Sequence, residues 1–203
     1  MSLLPGEGSH LILYGPAAFS ARTRTHEGYL ARPDAAGAFP VAVLLGPVTA
    51  GTKELCRQLA RRGFAAIAFR GGDSPGDVRD VMRWIRAPGT PWADPDRSAV
   101  IITGRTDTES EGLSNALAFV LLDAPVDIDI GGRPVLGLYG AEGAAATAAR
   151  AAHTDVPSSQ WAFYGGATEG FWSLASPDFQ PGPAADALDR IIEFLGASLG
   201  VAA

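Results

Sequence analysis

The apolar positions of this chain fall into short runs, separated by turns and by longer stretches with helical spacing. FPVAVLLG (39–46) is apolar throughout and ends in glycine, as a strand buried on both faces should. TKELCRQLARRGF follows, with Leu55, Cys56, Leu59 and Ala60 on one helical face and Gly63 as the stop. AAIAFRG (65–71) predicts the next buried strand. Ser74-Pro75 opens a second helix: serine caps it, proline suits its first turn, and Asp77 sits near its positive end. The apolar stripe of that helix is Val78, Val81, Met82 and Ile85. SAVIITG (98–104), RPVLGLYG (133–140) and QWAFYG (160–165) predict further strands. An alanine-rich stretch from 143 to 152 predicts a helix. A closing helix from about 184 to 199 turns Leu188, Ile191, Ile192, Leu195 and Leu199 inward. At the start, HLILYG (10–15) and EGYLAR (27–32) read as edge strands, separated by a loop rich in Ser, Arg and Thr. NALAFVLLDA (115–124) reads as a strand, although its length leaves a helix open.

Strands alternating with helices imply a mostly parallel sheet with helices on both faces. The expected architecture is one α/β domain over 1–203, a three-layer sandwich. The proline-rich loops at 87–95 and 177–183 are too short to link domains. In such a sheet ligands bind beyond the carboxyl ends of the strands. That rule selects the segments 46–51, 70–74, 104–111, 123–129, 140–143 and 165–172.

Composition narrows the function. The chain has 203 residues, 47% of them apolar, which is enough for a sizeable core. The net charge of −6 argues against nucleic acid and against an anionic membrane surface. The single cysteine, Cys56, excludes an intrachain disulfide, and its place among Leu55 and Leu59 reads as packing. The first residues, MSLLPGEGSH, have no basic segment and no long apolar run, and no stretch approaches the roughly 20 apolar residues of a membrane span. A cytoplasmic location is the expectation. The glycines of 46–51 lack the phosphate-loop pattern, and the three histidines do not cluster with the cysteine, so neither a cofactor nor a metal is expected.

The order of segments resembles the dienelactone hydrolases. GYLARP, a buried strand ending in glycine, RRGFAAIAF, then VRDVMRWIRA followed by ADPDRSAVII resemble the first half of that family. RPVLGLYG, YGGATEGFW and a closing helix ending EFLGASL resemble the second, and the likeness runs from about Gly28 to Leu199. It implies the α/β-hydrolase fold. It also implies a Cys or Ser nucleophile on a sharp G-x-C/S-x-G turn, an acid after a later strand, and a histidine in a G-x-x-H-G-F loop. The chemistry needs all three: a nucleophile, a base within reach of it, and a group that orients the base.

This chain departs from that pattern at each point. After SAVII it reads Thr103-Gly104-Arg105-Thr106-Asp107-Thr108, which puts Thr106 in the nucleophile position, or Gly104 if no gap is allowed. Glu142 is a displaced candidate for the acid, and Glu169 stands where the family has histidine. His10, His26 and His153 are poorly placed to serve as the base. If 115–124 is the next strand, only about ten residues remain for the crossover from the elbow, which shortens or removes the elbow helix. If 109–122 is the helix, a strand is missing instead.

Losing nucleophile and base typically costs about 10⁴–10⁶ in rate. The first expectation is therefore a homologue of these hydrolases with a degenerate triad and without their usual activity. It would bind a small carboxylated or lactone-like molecule or act through protein contacts, and a homodimer stays open. The second is an enzyme of altered chemistry, a hydrolase, cyclase or lyase, with Glu169 as general base and Arg70 or Arg105 holding a carboxylate. Trp172, Phe171 and Tyr164 are candidates for the pocket wall. The third is a hydrolase in a different alignment. Against the sharp readings, Thr106 and Asp107 suit a turn, Arg105 suits a surface pair with Glu109 or Glu111, and Arg70 suits a pair with Asp73 or Asp77.

Overall fold

The computed structural model describes residues 8–20, 25–69, 76–104, 113, 115–125, 131–152 and 158–201, the side chains of 76 and 77 excepted. In chain order the elements are β1 (Ile12–Ser20), β2 (Thr25–Pro33), β3 (Phe39–Leu45), α1 (Ala50–Arg61), β4 (Ala65–Phe69), α2 (Gly76–Trp84), β5 (Ala93–Thr103), β6 (Ala118–Leu122), β7 (Val135–Gly140), α3 (Ala144–Ala152), β8 (Ser159–Tyr164) and α4 (Pro181–Leu199). The eight strands form one sheet in the order β1-β2-β4-β3-β5-β6-β7-β8. β1 and β2 run antiparallel to their neighbours, and the pairs from β4 through β8 are parallel.

Alternation along each strand sends neighbouring residues to opposite faces. Ala42 and Leu44 of β3, Ala99 and Ile101 of β5, and Ala118, Val120 and Leu122 of β6 pack under α1 and α4. Val41, Val43, Leu45, Val100, Ile102, Phe119 and Leu121 pack under α2 and α3. The first face is rich in alanine, so α1 and α4 lie close to the sheet. The three-layer α/β architecture is the one the hydrophobic pattern predicts.

The structure changes several boundaries. β1 runs on to Ser20 through the stretch read as a loop, with Pro16 opposite Tyr29. An edge strand tolerates a proline because its outward N–H needs no partner. β5 begins at Ala93, inside the stretch read as a proline-rich loop: Ala93 and Asp94 pair with Phe39 and Pro40 before a register shift at Pro40/Val41. α4 starts at Pro181, where the fixed φ of proline suits the first turn. Ser74 and Pro75, the expected cap of α2, lie outside the described residues.

The ambiguous 115–124 stretch contains strand β6, between β5 and β7. Fourteen residues separate Thr103 from Ala118, and of these Gly104, Leu113, Asn115, Ala116 and Leu117 are described and are not helical. Leu113 and Ala116 are buried on the α2 and α3 face of the sheet.

β7 shows how tightly the carboxyl half is packed. Tyr139 stacks between Trp161 and Phe163, at centroid distances of 6.0 and 5.7 Å. A methyl group at Gly137 would overlap the Trp161 ring and stand 2.9 Å from Tyr139 Cε2. Overpacking of this kind costs about 1–3 kcal/mol. Gly137→Ala should therefore lower the urea midpoint with the slope m unchanged; an unshifted midpoint would show that the stack yields freely.

Candidate functional site

The chain leaves β3 for β4 on one side and returns to β5 on the other, so the connections diverge between the carboxyl ends of β3 and β5. A crevice at such a switch point is the expected ligand site of an open α/β sheet. A cleft of about 300 Å³ lies here, lined by Pro47, Thr49 and Thr52 after β3, Thr103 and Gly104 at the end of β5, Leu122 and Asp123 at the end of β6, and residues between Glu169 and Ser176. The turn out of β3 touches β5: Gly46 has φ +139°, and a Cβ there would overlap the Thr103 carbonyl oxygen. Only glycine suits both demands.

Asp123 forms the floor. It is 7% exposed and has φ +51°, a left-handed conformation that aspartate tolerates better than most residues. Its Oδ1 accepts the Gly140 N–H at 2.9 Å, and its Oδ2 accepts the Gly170 N–H at 2.8 Å. One side chain thus ties the end of β6 to the end of β7 and to the loop after β8. The Tyr139 hydroxyl donates to the neighbouring Ala124 carbonyl at 2.9 Å, which holds the turn from below. Burial lifts the Asp123 carboxyl above the ordinary aspartate value; the Glu169 carboxylate adds to the rise, and the two N–H groups act against it.

Glu169 lines the cleft with its side chain exposed. Its Oε1 accepts the Ala145 N–H at 3.0 Å, one of the donors that the first turn of α3 leaves unpaired. Trp172 is half-buried and also lines the cleft. Glu142 is exposed and is not part of the described lining; its backbone N–H donates to Ala167. The structure therefore brings Glu169 and Trp172 together and leaves Glu142 apart. Arg70, Arg105, Thr106, Asp107 and His153 lie outside the described residues.

Among the described lining residues there is no histidine and no cysteine. His10 lies beside Phe39, with ring centroids 6.4 Å apart. His26 is buried, 3.8 Å from Asp80. Burial on the inner face of α1 pushes the Cys56 thiol far up, which makes it inert. Four of the cleft hydroxyls have structural partners: Thr103 Oγ1 donates to the Leu45 carbonyl at 3.1 Å, Thr49 and Thr52 cap α1 reciprocally, and Ser176 Oγ accepts the Asp178 N–H at 3.1 Å; Ser173 also lines the cleft. Among the described residues no group of three or more His, Cys, Asp or Glu is placed to hold a metal ion, and no helix is long and apolar enough to cross a membrane.

Sequence reasoning selected the 123–129 segment but did not single out Asp123. The signal was present: an acidic residue directly after the buried run AFVLL, at the ligand edge of the sheet.

No protein-family model matches the chain, and no curated protein matches it. Solved structures do. A candidate dienelactone hydrolase from Klebsiella pneumoniae superposes with TM-score 0.75 at 20% identity, covering 92% of this chain and 99% of that one. A dienelactone hydrolase-like promiscuous phosphotriesterase from metagenomic libraries gives 0.71 at 17%, covering 93% and 99%. A thermophilic carboxylesterase cloned from a metagenomic library gives 0.70 at 14%, covering 94% and 91%. The chain has the α/β-hydrolase fold, in the form these proteins share.

Removing the Asp123 carboxylate leaves the buried Gly140 N–H and the part-buried Gly170 N–H without acceptors, at about 1–3 kcal/mol for a fully buried group. Asp123→Ala should lower unfolding stability by about 2–4 kcal/mol, read from urea titration. Because the folded-state pKa is raised, the benefit from this group is fully present below the ordinary value of 3.8 and declines as pH rises through the raised one. The gap between wild type and variant should therefore narrow from pH 3.5 upward. A gap that widens with pH would mean that the native site prefers the charged form.

Proposed function

We propose that this chain, with the fold of the dienelactone hydrolases, is a small-molecule-binding homologue that lacks conventional ester or lactone hydrolysis. One observation carries the reading: Glu169, which stands where the family has histidine, gives its carboxylate to the N-terminus of α3. That bond commits one carboxylate oxygen to a backbone donor and holds the side chain at the helix end. The described lining adds no imidazole or thiol, and the sequence of residues 105–108 holds neither Ser nor Cys. Of the carboxylated and lactone-like ligands the resemblance implies, the uncharged ones suit the cleft better, because Asp123 and Glu169 both line it.

A second reading, an enzyme of altered chemistry, has Asp123 in its favour. A buried carboxyl with a raised pKa at the floor of a cleft is a sound general acid or base. It is a better candidate for that role than the exposed Glu169.

Short aryl esters and small lactones test both readings, with wild type beside Glu169→Ala and Asp123→Asn. All three proteins should stay at the buffer rate. Turnover by wild type that falls in Asp123→Asn would replace the binding reading with the catalytic one. Turnover that falls in Glu169→Ala would restore Glu169 as the base. On the stability side, Glu169→Ala should lose about 0.5–1 kcal/mol from the α3 cap and Glu169→Gln, which keeps the acceptor, almost none.

A further inference from the structure

The cleft has an apolar neighbour. Between the first turns of α1 and the first half of α4 lies a second pocket of about 240 Å³, and it shares Leu122 and Trp172 with the cleft as a common wall. Its remaining lining is almost wholly apolar: Leu55 from α1, Phe179 from the loop before α4, and Ala184, Leu188 and Ile191 from one face of α4. Dry apolar cavities of about 150 Å³ already admit benzene. Leu174 stands at the rim with 62% of its surface exposed, an apolar side chain that water does not stabilise and an occupant would cover. The polar side chains in this lining, Glu54 and Gln58, are bonded to each other at 2.7 Å, so they do not draw a polar group inward.

Charge sets the other end of the ligand. On the cleft side of the shared wall stand Asp123 and Glu169, and the described lining of neither pocket carries Lys, Arg or His. A carboxylate head would meet like charge there, whereas a hydroxyl or ammonium head would meet acceptors.

We infer that the cleft and the α1–α4 pocket form one site for a small amphiphile, whose alkyl or aryl arm lies between α1 and α4 and whose hydrogen-bond-donating head faces Asp123 and Glu169. The inference rests on the reading of the cleft as a binding site, and it gives that site a ligand class.

The test is binding of 1-hexanol, hexylamine and hexanoate, with γ-butyrolactone as a ligand without an arm, followed by ligand-observed NMR. Wild type should bind the alcohol and the amine at least tenfold more tightly than the carboxylate. Ala184→Phe, which fills the pocket from a half-buried position, should weaken the alcohol and the amine at least tenfold and leave the lactone unchanged. Leu174→Asp, at the exposed rim, should weaken them at least threefold without touching the core, and it serves if Ala184→Phe does not fold. Alcohol affinity within twofold of wild type in both variants would overturn the pocket assignment. Hexanoate binding as tightly as hexanol would overturn the head-group assignment. If the lactone binds and hexanol does not, this inference fails and the cleft reading stands; if nothing binds, both fail.

Discussion

The carboxyl edge of this sheet is held together at one side chain. Parallel strands end in backbone groups that the next loop must satisfy, and at β6 that task falls to Asp123. Its two oxygens take N–H groups from the end of β7 and from the loop after β8. A typical intramolecular hydrogen bond contributes about 0.5–1.5 kcal/mol, and leaving a buried donor unpaired costs more. The bonds also fix where Gly170 lies, and with it the segment carrying Glu169 and Trp172 into the cleft.

That segment is pinned again on either side. Gln180 donates its backbone N–H to the Phe171 carbonyl and its side-chain amide to Gly166. Close approaches complete the frame: a Cβ on Gly51 would overlap the Ser173 hydroxyl, and one on Gly140 would overlap the Thr168 carbonyl. The wall between cleft and apolar pocket is thus built on fixed backbone rather than on a free loop. A site of that kind binds without first losing loop entropy, which favours a small ligand whose own binding energy is modest.

Much of this was legible in the sequence because burial on two faces writes itself plainly. FPVAVLLG and AAIAF have one reading as strands in a parallel sheet, and the stripes at Leu55–Leu59 and Val78–Ile85 have one as helices. The edge strands were less legible. β1 holds Pro16 and half-exposed residues, so its pattern carries little signal until β2 is placed beside it. At the site, sequence brought forward Glu169 and Trp172, which line the cleft. It could not say what Glu169 bonds to, because Ala145 is 24 residues away and joins it only through the packing of α3. Asp123 was hidden for the same reason: its partners, Gly140 and Gly170, are ordinary glycines until the three segments meet.

Asp123 and Glu169 place two carboxyl groups in one cleft. In a triad, an imidazole between acid and nucleophile is what accommodates a buried carboxylate, since it becomes a cation when charge develops. The described lining of this cleft carries no imidazole to supply that compensation. Burial lifts the Asp123 carboxyl above its ordinary value, and the nearby Glu169 carboxylate adds to the rise. The fold relieves the conflict with backbone dipoles. Glu169 faces the N-terminus of α3, where the helix field favours an anion, and Asp123 takes two N–H groups. The backbone donors hold both side chains in place, and at Asp123 burial outweighs them, so the native site favours the protonated form. Side chains held in place in this way fit the binding role proposed for the cleft.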